Sequence, residues 1–225
     1  EMLFKEPPPQ YGDCSICFLR LPTMGSGQIY KTCCGKMICS GCFHADVYDN
    51  HGNIIADEKC PFCRTPVPTT HEEANKRLKK RMEIGDADAF CMMGSYNYRG
   101  LNGLPQDSAK AVELWRKAGK VGYNNIGLAY YEGQGVERDE KMASHYYELA
   151  AMEGCASARH NLGVSEYNSG NYDRALKHFM IAVRGGDTDS VKEIQEMYME
   201  GHVAKDHYAN ALRSHQAYLN EIKSD

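Results

Sequence analysis

The chain has 225 residues, of which 42% are hydrophobic and 25% charged, and its formal net charge is −4 at pH 7. This length is typical of one or two domains with a substantial core. No run of about 18 apolar residues occurs, which excludes a membrane span, and the mild negative charge disfavours a nucleic-acid binder, since such proteins usually present a basic face. The unusual feature is a set of ten cysteines, eight of which fall between Cys14 and Cys63.

The spacing of these eight cysteines favours zinc over disulfides. Three Cys-x-x-Cys pairs are present, and two thiolates at this spacing can bind one tetrahedral zinc and leave two positions for a distant pair. A disulfide-stapled secreted module is the alternative, but the three pairs are more typical of metal binding. Eight sulfurs suffice for two ions. We therefore predict two structural Zn²⁺ sites formed by Cys14, Cys17, Cys33, Cys34, Cys39, Cys42, Cys60 and Cys63.

Residues 11–68, which contain these ligands, resemble a RING-type zinc finger. The resemblance implies a cross-brace, in which the first and third ligand pairs bind one zinc and the second and fourth pairs bind the other. The first site would then contain Cys14, Cys17, Cys39 and Cys42, and the second Cys33, Cys34, Cys60 and Cys63.

The second pair of ligands departs from the common RING pattern. Lys36 stands where that pattern has a histidine, so the chain is more similar to the all-cysteine RING variant. Cys33 and Cys34 are adjacent, which departs from that variant too, and they can share a metal only through a tight turn that Gly35 would help to form. If Cys33 points away, His44 is the nearest substitute ligand.

RING fingers mostly act as ubiquitin ligases, which supply no nucleophile but dock a ubiquitin-conjugating enzyme and hold its ubiquitin thioester in a reactive state. By this resemblance Ile16 would pack on the conjugating enzyme and Pro61 would form the second docking element. Arg64 would bridge the enzyme and ubiquitin, a role that suits the planar fork of a guanidinium. The plainer alternatives are a core role for Ile16, a turn role for Pro61 and a solvated Arg64. The stretch 44–59 would carry the remaining contact.

Residues 69–85 are predicted to form a linker helix. Thr70 and Glu73 have the spacing of a capping box, and the helix should end before Gly85. Leu78 and Met82 lie four residues apart, as one buried stripe requires. We interpret the basic residues as a solvated face rather than as a nuclear-import signal; they are Lys76, Arg77, Lys79, Lys80 and Arg81.

Residues 86–225 repeat one pattern of helix, turn and second helix. Small residues would let the paired helices approach closely, and one aromatic residue fills the gap behind them. The pattern resembles the Sel1-like repeat, a relative of the tetratricopeptide repeat, and implies an α-solenoid whose concave face binds a protein partner. We predict four units, the last of them degenerate at Gln195 and His215, over residues 86–120, 121–154, 155–186 and 187–223. Candidate anchors on the concave face are Tyr96, Tyr130, Tyr131, Tyr167 and Tyr198.

The second repeat is shorter than the others. The interval from the alanine of one second helix to the glycine, or Gln195, of the next unit is 20 residues twice along the chain, but between Ala111 and Gly127 it is 16. About one helical turn is therefore missing near residues 119–125. We predict a shortened helix there, or else a break in the chain that the numbering conceals.

The sequence thus predicts a mostly α-helical protein: a small two-zinc cross-brace RING module followed by an α-solenoid. Its predicted function is that of a RING-type ubiquitin ligase or ligase subunit. The alternative is a non-catalytic zinc-containing adaptor or assembly subunit, so enzymatic activity stays open. Zinc-type cysteine spacing indicates the reducing cytoplasm or nucleus. Because the chain begins with Glu1 rather than methionine, organelle targeting stays open as well.

Overall fold

The fold was analysed in a computed structural model, which describes residues 4, 12–19, 21, 28–47 and 59–222, with the backbone alone for residues 44–47. This part of the chain is mostly helical, as the sequence predicts. Its elements are β1 (Gln28–Lys31), β2 (Lys36–Cys39), α1 (Ser40–Val47), α2 (His71–Glu83), α3 (Ala87–Arg99), α4 (Ser108–Ala118), α5 (Tyr123–Glu132), α6 (Glu140–Met152), α7 (Ala156–Asn168), α8 (Tyr172–Arg184), α9 (Thr188–Met199) and α10 (Lys205–Ile222).

The N-terminal module is built on a short antiparallel hairpin. β1 pairs with β2 in a register that places Gln28 opposite Cys39. Four residues connect the strands, and Gly35 ends this turn with a φ of 70°, a left-handed conformation that glycine adopts without strain. Among the described residues of the module, Ile38, Cys14 and Leu21 form a small buried apolar cluster.

Helix α2 links the module to the repeats. The Thr70 hydroxyl accepts a hydrogen bond from the Glu73 amide (3.2 Å), and the Glu73 carboxylate accepts one from the Thr69 amide (3.4 Å), which together close the first turn. Leu78 is fully buried, and Met82 packs beside it in the same apolar cluster. The stripe predicted from their spacing therefore faces the core.

The repeats form four antiparallel helix pairs, α3/α4, α5/α6, α7/α8 and α9/α10. In the first three pairs a glycine in the first helix lies against an aromatic ring of the second. A Cβ atom at each glycine would lie 2.5–2.6 Å from that ring. The pairs are Gly94 with Trp115, Gly127 with Tyr147, and Gly163 with Phe179. The predicted solenoid of helix-turn-helix repeats is confirmed, including the role of its small residues.

We expect Gly163→Ala to destabilise the protein by about 1–2 kcal/mol, because overpacking a rigid core outweighs the gain in helix propensity. The new methyl group would lie 2.5 Å from a ring carbon of Phe179, which is itself fully buried. Chemical denaturation measures the change. Gly12→Ala is the matched control, since a Cβ there meets nothing within 4 Å; equal stability of the two variants would contradict the packing argument.

The short second repeat is explained by a shortened helix. A 3₁₀ turn over Gly119–Gly122 leads directly into α5, which has 10 residues where α3 and α7 have 13. A Cβ at Gly122 would lie 2.2 Å from the carbonyl oxygen of Trp115, so this close approach requires glycine. The turn runs directly into α5, as the prediction of a shortened helix requires.

The N-terminal module is attached to the repeats through a hydrogen-bonded junction. One carboxylate oxygen of Asp86 accepts hydrogen bonds from the Tyr30 hydroxyl (2.7 Å) and from Arg81 (2.6 and 2.9 Å). The other oxygen of Asp86 caps α3 at the Ala89 amide (3.3 Å). The Tyr30 ring packs into the same cluster as Leu78. Strand β1, helix α2 and helix α3 are thereby held in one fixed arrangement.

Within the described residues, every helix is too short or too polar to cross a membrane.

Candidate metal centre and partner surfaces

The eight candidate ligands come together in two groups of four. The first group contains Cys14, Cys17, Cys39 and Cys42, and the second Cys33, Cys34, Cys60 and Cys63, with all sulfurs of a group within 4.8 Å of one another. Sulfur–sulfur distances are 3.7 Å from Cys17 to Cys39, 3.9 Å from Cys34 to Cys60 and 3.4 Å from Cys33 to Cys63. Tetrahedral zinc with Zn–S bonds of about 2.3 Å separates its sulfurs by about 3.8 Å. The donor sets fit zinc in number, chemistry and size.

Two of the Cys-x-x-Cys pairs fold into the same backbone turn. The Cys14 amide donates to the Leu19 carbonyl (2.8 Å) and the Phe18 amide to the Cys14 carbonyl (3.0 Å). The turn from Cys60 to Cys63 repeats both bonds at 2.8 Å, with Arg64 in the place of Phe18. Phe18 and Arg64 have φ values of 59° and 60°, a left-handed conformation that costs a residue other than glycine free energy. The turns make each sulfur pair converge.

The hairpin turn brings the adjacent cysteines to one group. The amides of Cys34 and Gly35 both donate to the carbonyl of Lys31, at 3.2 and 2.8 Å. This tight turn directs both neighbouring sulfurs to the second group. Lys36 lies outside it, with its ammonium 5.4 Å from the centre of the Phe62 ring. The side chain of His44, the alternative ligand, lies outside the described residues.

The thiols within each group influence one another's ionisation. In the first group burial disfavours the Cys14 thiolate, but backbone hydrogen bonds from Cys17, Cys39 and Ile16 outweigh this and lower its pKa to about 6. Burial and the neighbouring sulfurs raise the pKa of Cys42. Thiolates this close repel one another, so a bound cation is needed to ionise all four.

The tips of both turns are apolar and exposed. Ile16 is 36% exposed, so it does not fill the module's core, and Pro61 and Arg64 lie on the second turn. Sequence reasoning missed Phe18 and Phe62, which are 77% and 46% exposed. Their positions could have indicated this exposure, because Phe62 lies within and Phe18 directly after a Cys-x-x-Cys turn. The sulfurs occupy the inside of such turns, which leaves the other side chains outside. Of the stretch 44–59, predicted to carry the remaining contact, residues 48–58 lie outside the described part.

The five candidate tyrosine anchors differ in their surroundings. Tyr131 and Tyr198 are exposed. Tyr96 packs in the cluster around Leu78, and Tyr130 stacks on Tyr146 with 5.8 Å between ring centres. The Tyr167 hydroxyl donates to the Glu200 carboxylate. Tyr131 and Tyr198 therefore offer the most surface to a partner.

A histidine, a serine and an aspartate meet between α7 and α9, but they do not form a hydrolase triad. The Ser190 hydroxyl (3.0 Å) and the Asp187 carboxylate (3.5 Å) both approach Nδ1 of His160, whereas a triad uses the two ring nitrogens separately. Ser190 is fully buried, and the Asp187 carboxylate caps α9 by accepting a hydrogen bond from the Ser190 amide (2.7 Å). The cluster serves the fold.

The two remaining cysteines are core residues. Cys155 is buried, and burial raises the pKa of Cys91 to about 12. A thiol that stays protonated is a poor nucleophile.

Comparison with known proteins identifies the repeats. Residues 87–123 and 120–155 match the model of the Sel1 repeat family. Over 102 residues, the chain is 33% identical to the ERAD-associated E3 ubiquitin-protein ligase component HRD3B of Arabidopsis thaliana. The aligned region covers 45% of this chain and 16% of that protein. The putative sel1-like repeat-containing protein L21 of Acanthamoeba polyphaga mimivirus is 32% identical over 77 residues. This alignment covers 34% of this chain and 14% of that protein. The chain thus spans less than a fifth of either relative.

Solved structures show the same repeat architecture. A Sel1 repeat protein from Oxalobacter formigenes superposes with a TM-score of 0.55 at 29% identity, covering 66% of this chain and 64% of that one. The protective antigen c5321 of uropathogenic Escherichia coli superposes with a TM-score of 0.57 at 25% identity. The superposition covers 68% of this chain and 35% of that one. The chain therefore contains Sel1 repeats, a kind of α-solenoid typical of protein–protein interaction.

Proposed function

We propose that the chain is a RING-type ubiquitin ligase or a subunit of one, in which the N-terminal module docks a ubiquitin-conjugating enzyme and the repeats bind a protein partner. The observation that carries this proposal is the pairing of the eight cysteines, which is the cross-brace pairing of RING fingers. The name of the Arabidopsis relative, a ligase component, supports the same class of process.

Zinc would serve structure in this module. Four cysteines would fill the coordination sphere of each ion and leave no position for a reactive water. When bound, zinc would supply folding free energy to a module whose described residues form only a small apolar cluster. The first site would tie the Cys14 turn to the start of α1, and the second would tie the hairpin turn to the Cys60 turn.

The chain's own residues would dock and orient the conjugating enzyme rather than react. Ile16 offers apolar contact area at the tip of the first turn, with Phe18 beside it in sequence. Pro61 and Phe62 would extend this surface on the second turn. Arg64 is exposed, and its guanidinium would donate to carbonyl groups of the enzyme and of ubiquitin.

The junction would set the geometry of transfer. Asp86 binds Tyr30 of the module and Arg81 of α2 while it caps the first repeat helix. A partner held by the repeats would therefore face the conjugating enzyme at a defined angle. The lysine that receives ubiquitin would then be selected by its position on the bound partner more than by the sequence around it.

A non-catalytic adaptor is the second candidate. It is favoured by Lys36, which occupies a ligand position of the common RING pattern and lies outside the second cysteine group. In that case the exposed turn tips would form one more protein-binding surface.

An autoubiquitylation assay across a panel of conjugating enzymes tests the ligase. We expect Ile16→Ala and Arg64→Ala each to lower the initial rate about tenfold, the loss that about 1.4 kcal/mol of docking energy represents. Ile84→Ala and Arg99→Ala are matched controls, because both residues are exposed and lie outside the module. A folded, zinc-loaded wild type that is inert with every enzyme would favour the adaptor instead.

A further inference from the structure

Tyrosine–glutamate hydrogen bonds connect successive repeats along one edge of the solenoid. The Tyr98 hydroxyl, on α3, donates to the carboxylate of Glu132 at the end of α5. Tyr167, on α7, donates in the same way to Glu200, directly after α9. Both tyrosines lie four residues after the glycine of their first helix, so the same hydrogen bond recurs at equivalent positions of the repeats. Each bond joins one repeat to the next.

The series is interrupted in the middle. Tyr131 has the same register, four residues after Gly127, but the partner position in the next repeat is Asn168 instead of a glutamate. Among the described residues the Tyr131 hydroxyl finds no hydrogen-bond partner, and the side chain is 43% exposed. The Arg138 guanidinium lies 6.0 Å from its ring centre. This position is therefore available to a partner.

A cavity of about 130 Å³ lies beside Tyr131, between α5, α6 and α7. Leu128, Ala143 and Val164 supply its apolar walls. Tyr147 also lines it and is only 4% exposed, yet in the part of the chain that the structure describes its hydroxyl makes no hydrogen bond. The Tyr147 hydroxyl oxygen is not completely buried, so it can bind a polar group that enters the cavity.

The charge at the cavity is negative. Glu132 lines it and accepts the bond from Tyr98, and no lysine or arginine of the described residues lies within ion-pair distance of its carboxylate. Burial and the nearby charge of Glu132 raise the pKa of Tyr147. At the rim, Glu140 is already paired with Arg138 at 2.7 Å. One carboxylate is thus left to be balanced by an incoming cation.

We propose that this cavity binds an arginine or lysine side chain of a protein partner. The aliphatic stem would lie along Leu128 and Val164, since long cationic side chains bury their stems and keep the charged head in polar surroundings. The head would donate to the Glu132 carboxylate and to the oxygens of Tyr131 and Tyr147, and hydrogen bonds to a charged acceptor are the strong ones. The inference rests on the partner-binding role of the repeats in the proposed function, and it names the chemistry that they select.

Binding of the full chain to an array of nine-residue peptides tests this site. Four pools are compared, random except for a central arginine, lysine, glutamine or glutamate. We expect the wild type to retain the arginine and lysine pools about fivefold more than the glutamine pool, as one charge-assisted hydrogen bond allows. Equal retention of the arginine, lysine and glutamine pools would overturn the proposal.

Matched variants separate the cavity from the chain's general acidity. Glu132→Gln keeps an acceptor for Tyr98 and should remove the preference, whereas Glu137→Gln changes net charge equally at an exposed site outside the cavity and should retain it. Tyr147→Phe should weaken retention of the arginine pool. Circular dichroism confirms that each variant is folded. A preference that persists in Glu132→Gln, or that is lost equally in Glu137→Gln, would overturn the site.

The ligase proposal and this inference fail separately. A wild type that prefers the arginine pool but transfers no ubiquitin with any conjugating enzyme overturns only the ligase. A wild type that transfers ubiquitin but shows no preference among the pools overturns only the cavity.

Discussion

We expect Cys60→Ser to lower bound zinc from two ions to one per chain and to unfold the hairpin region. Cys60 is buried, and its sulfur lies 3.9 Å from that of Cys34 in the second group. Structural zinc contributes about 10–16 kcal/mol to the folding of small zinc domains. Elemental analysis of the purified protein measures the zinc content, and limited proteolysis reports the unfolding.

The control for this substitution is Cys91→Ser, which removes a thiol that belongs to neither cysteine group. It should retain both ions. The helices of the repeats do not depend on zinc ligands, so far-UV circular dichroism of Cys60→Ser should stay close to that of the wild type. A wild type that binds no zinc, or a Cys60→Ser variant that keeps two ions, would contradict the assignment.

We expect Asp86→Ala to destabilise the protein by about 2–4 kcal/mol, the second largest effect. The substitution removes the cap of α3, which is typically worth about 1 kcal/mol, and it leaves the half-buried Arg81 and the Tyr30 hydroxyl without their acceptor. Urea denaturation of the zinc-loaded protein measures the loss. Asp107→Ala, which removes only the cap of α4, is the matched control and should cost about 1 kcal/mol.

The junction also predicts a dependence of stability on pH. Although burial opposes it, the hydrogen bonds from Tyr30 and Arg81 hold the pKa of Asp86 below its usual value of 3.8. A group whose pKa is lower in the folded state stabilises the fold above its unfolded pKa and loses that contribution as the pH falls. The difference in stability between wild type and Asp86→Ala should therefore shrink below about pH 4. A difference that stays constant down to pH 2 would contradict this role.

Local patterns in the sequence predicted much of the fold. The Thr70–Glu73 spacing predicted the start of α2, and the structure places the cap there. The glycine and aromatic positions predicted the helix pairs, and the intervals between them predicted the short α5. These features depend on residues within one helix or one neighbouring pair. The spacing of residues along the chain is therefore enough to predict them.

Contacts between distant segments were not predictable in this way. Nothing in the spacing indicated that Tyr30 and Asp86, 56 positions apart, would hold the module on the repeats. The five tyrosines look alike in sequence, and only packing against other helices sorts exposed Tyr131 from stacked Tyr130. The exposure of the two Cys-x-x-Cys turns was likewise underestimated, because Phe18 and Phe62 are apolar residues that a core would normally bury.

The sequence by itself determined the repeat architecture and the number and spacing of the candidate zinc ligands, because helix periodicity and Cys-x-x-Cys turns are local properties of the chain. Only the tertiary structure decided how the module meets the repeats, which tyrosines face solvent and where a carboxylate has no cation beside it among the described residues. Those outcomes depend on which surfaces bury one another when the chain folds, and the free energy of that burial is shared among residues far apart in sequence.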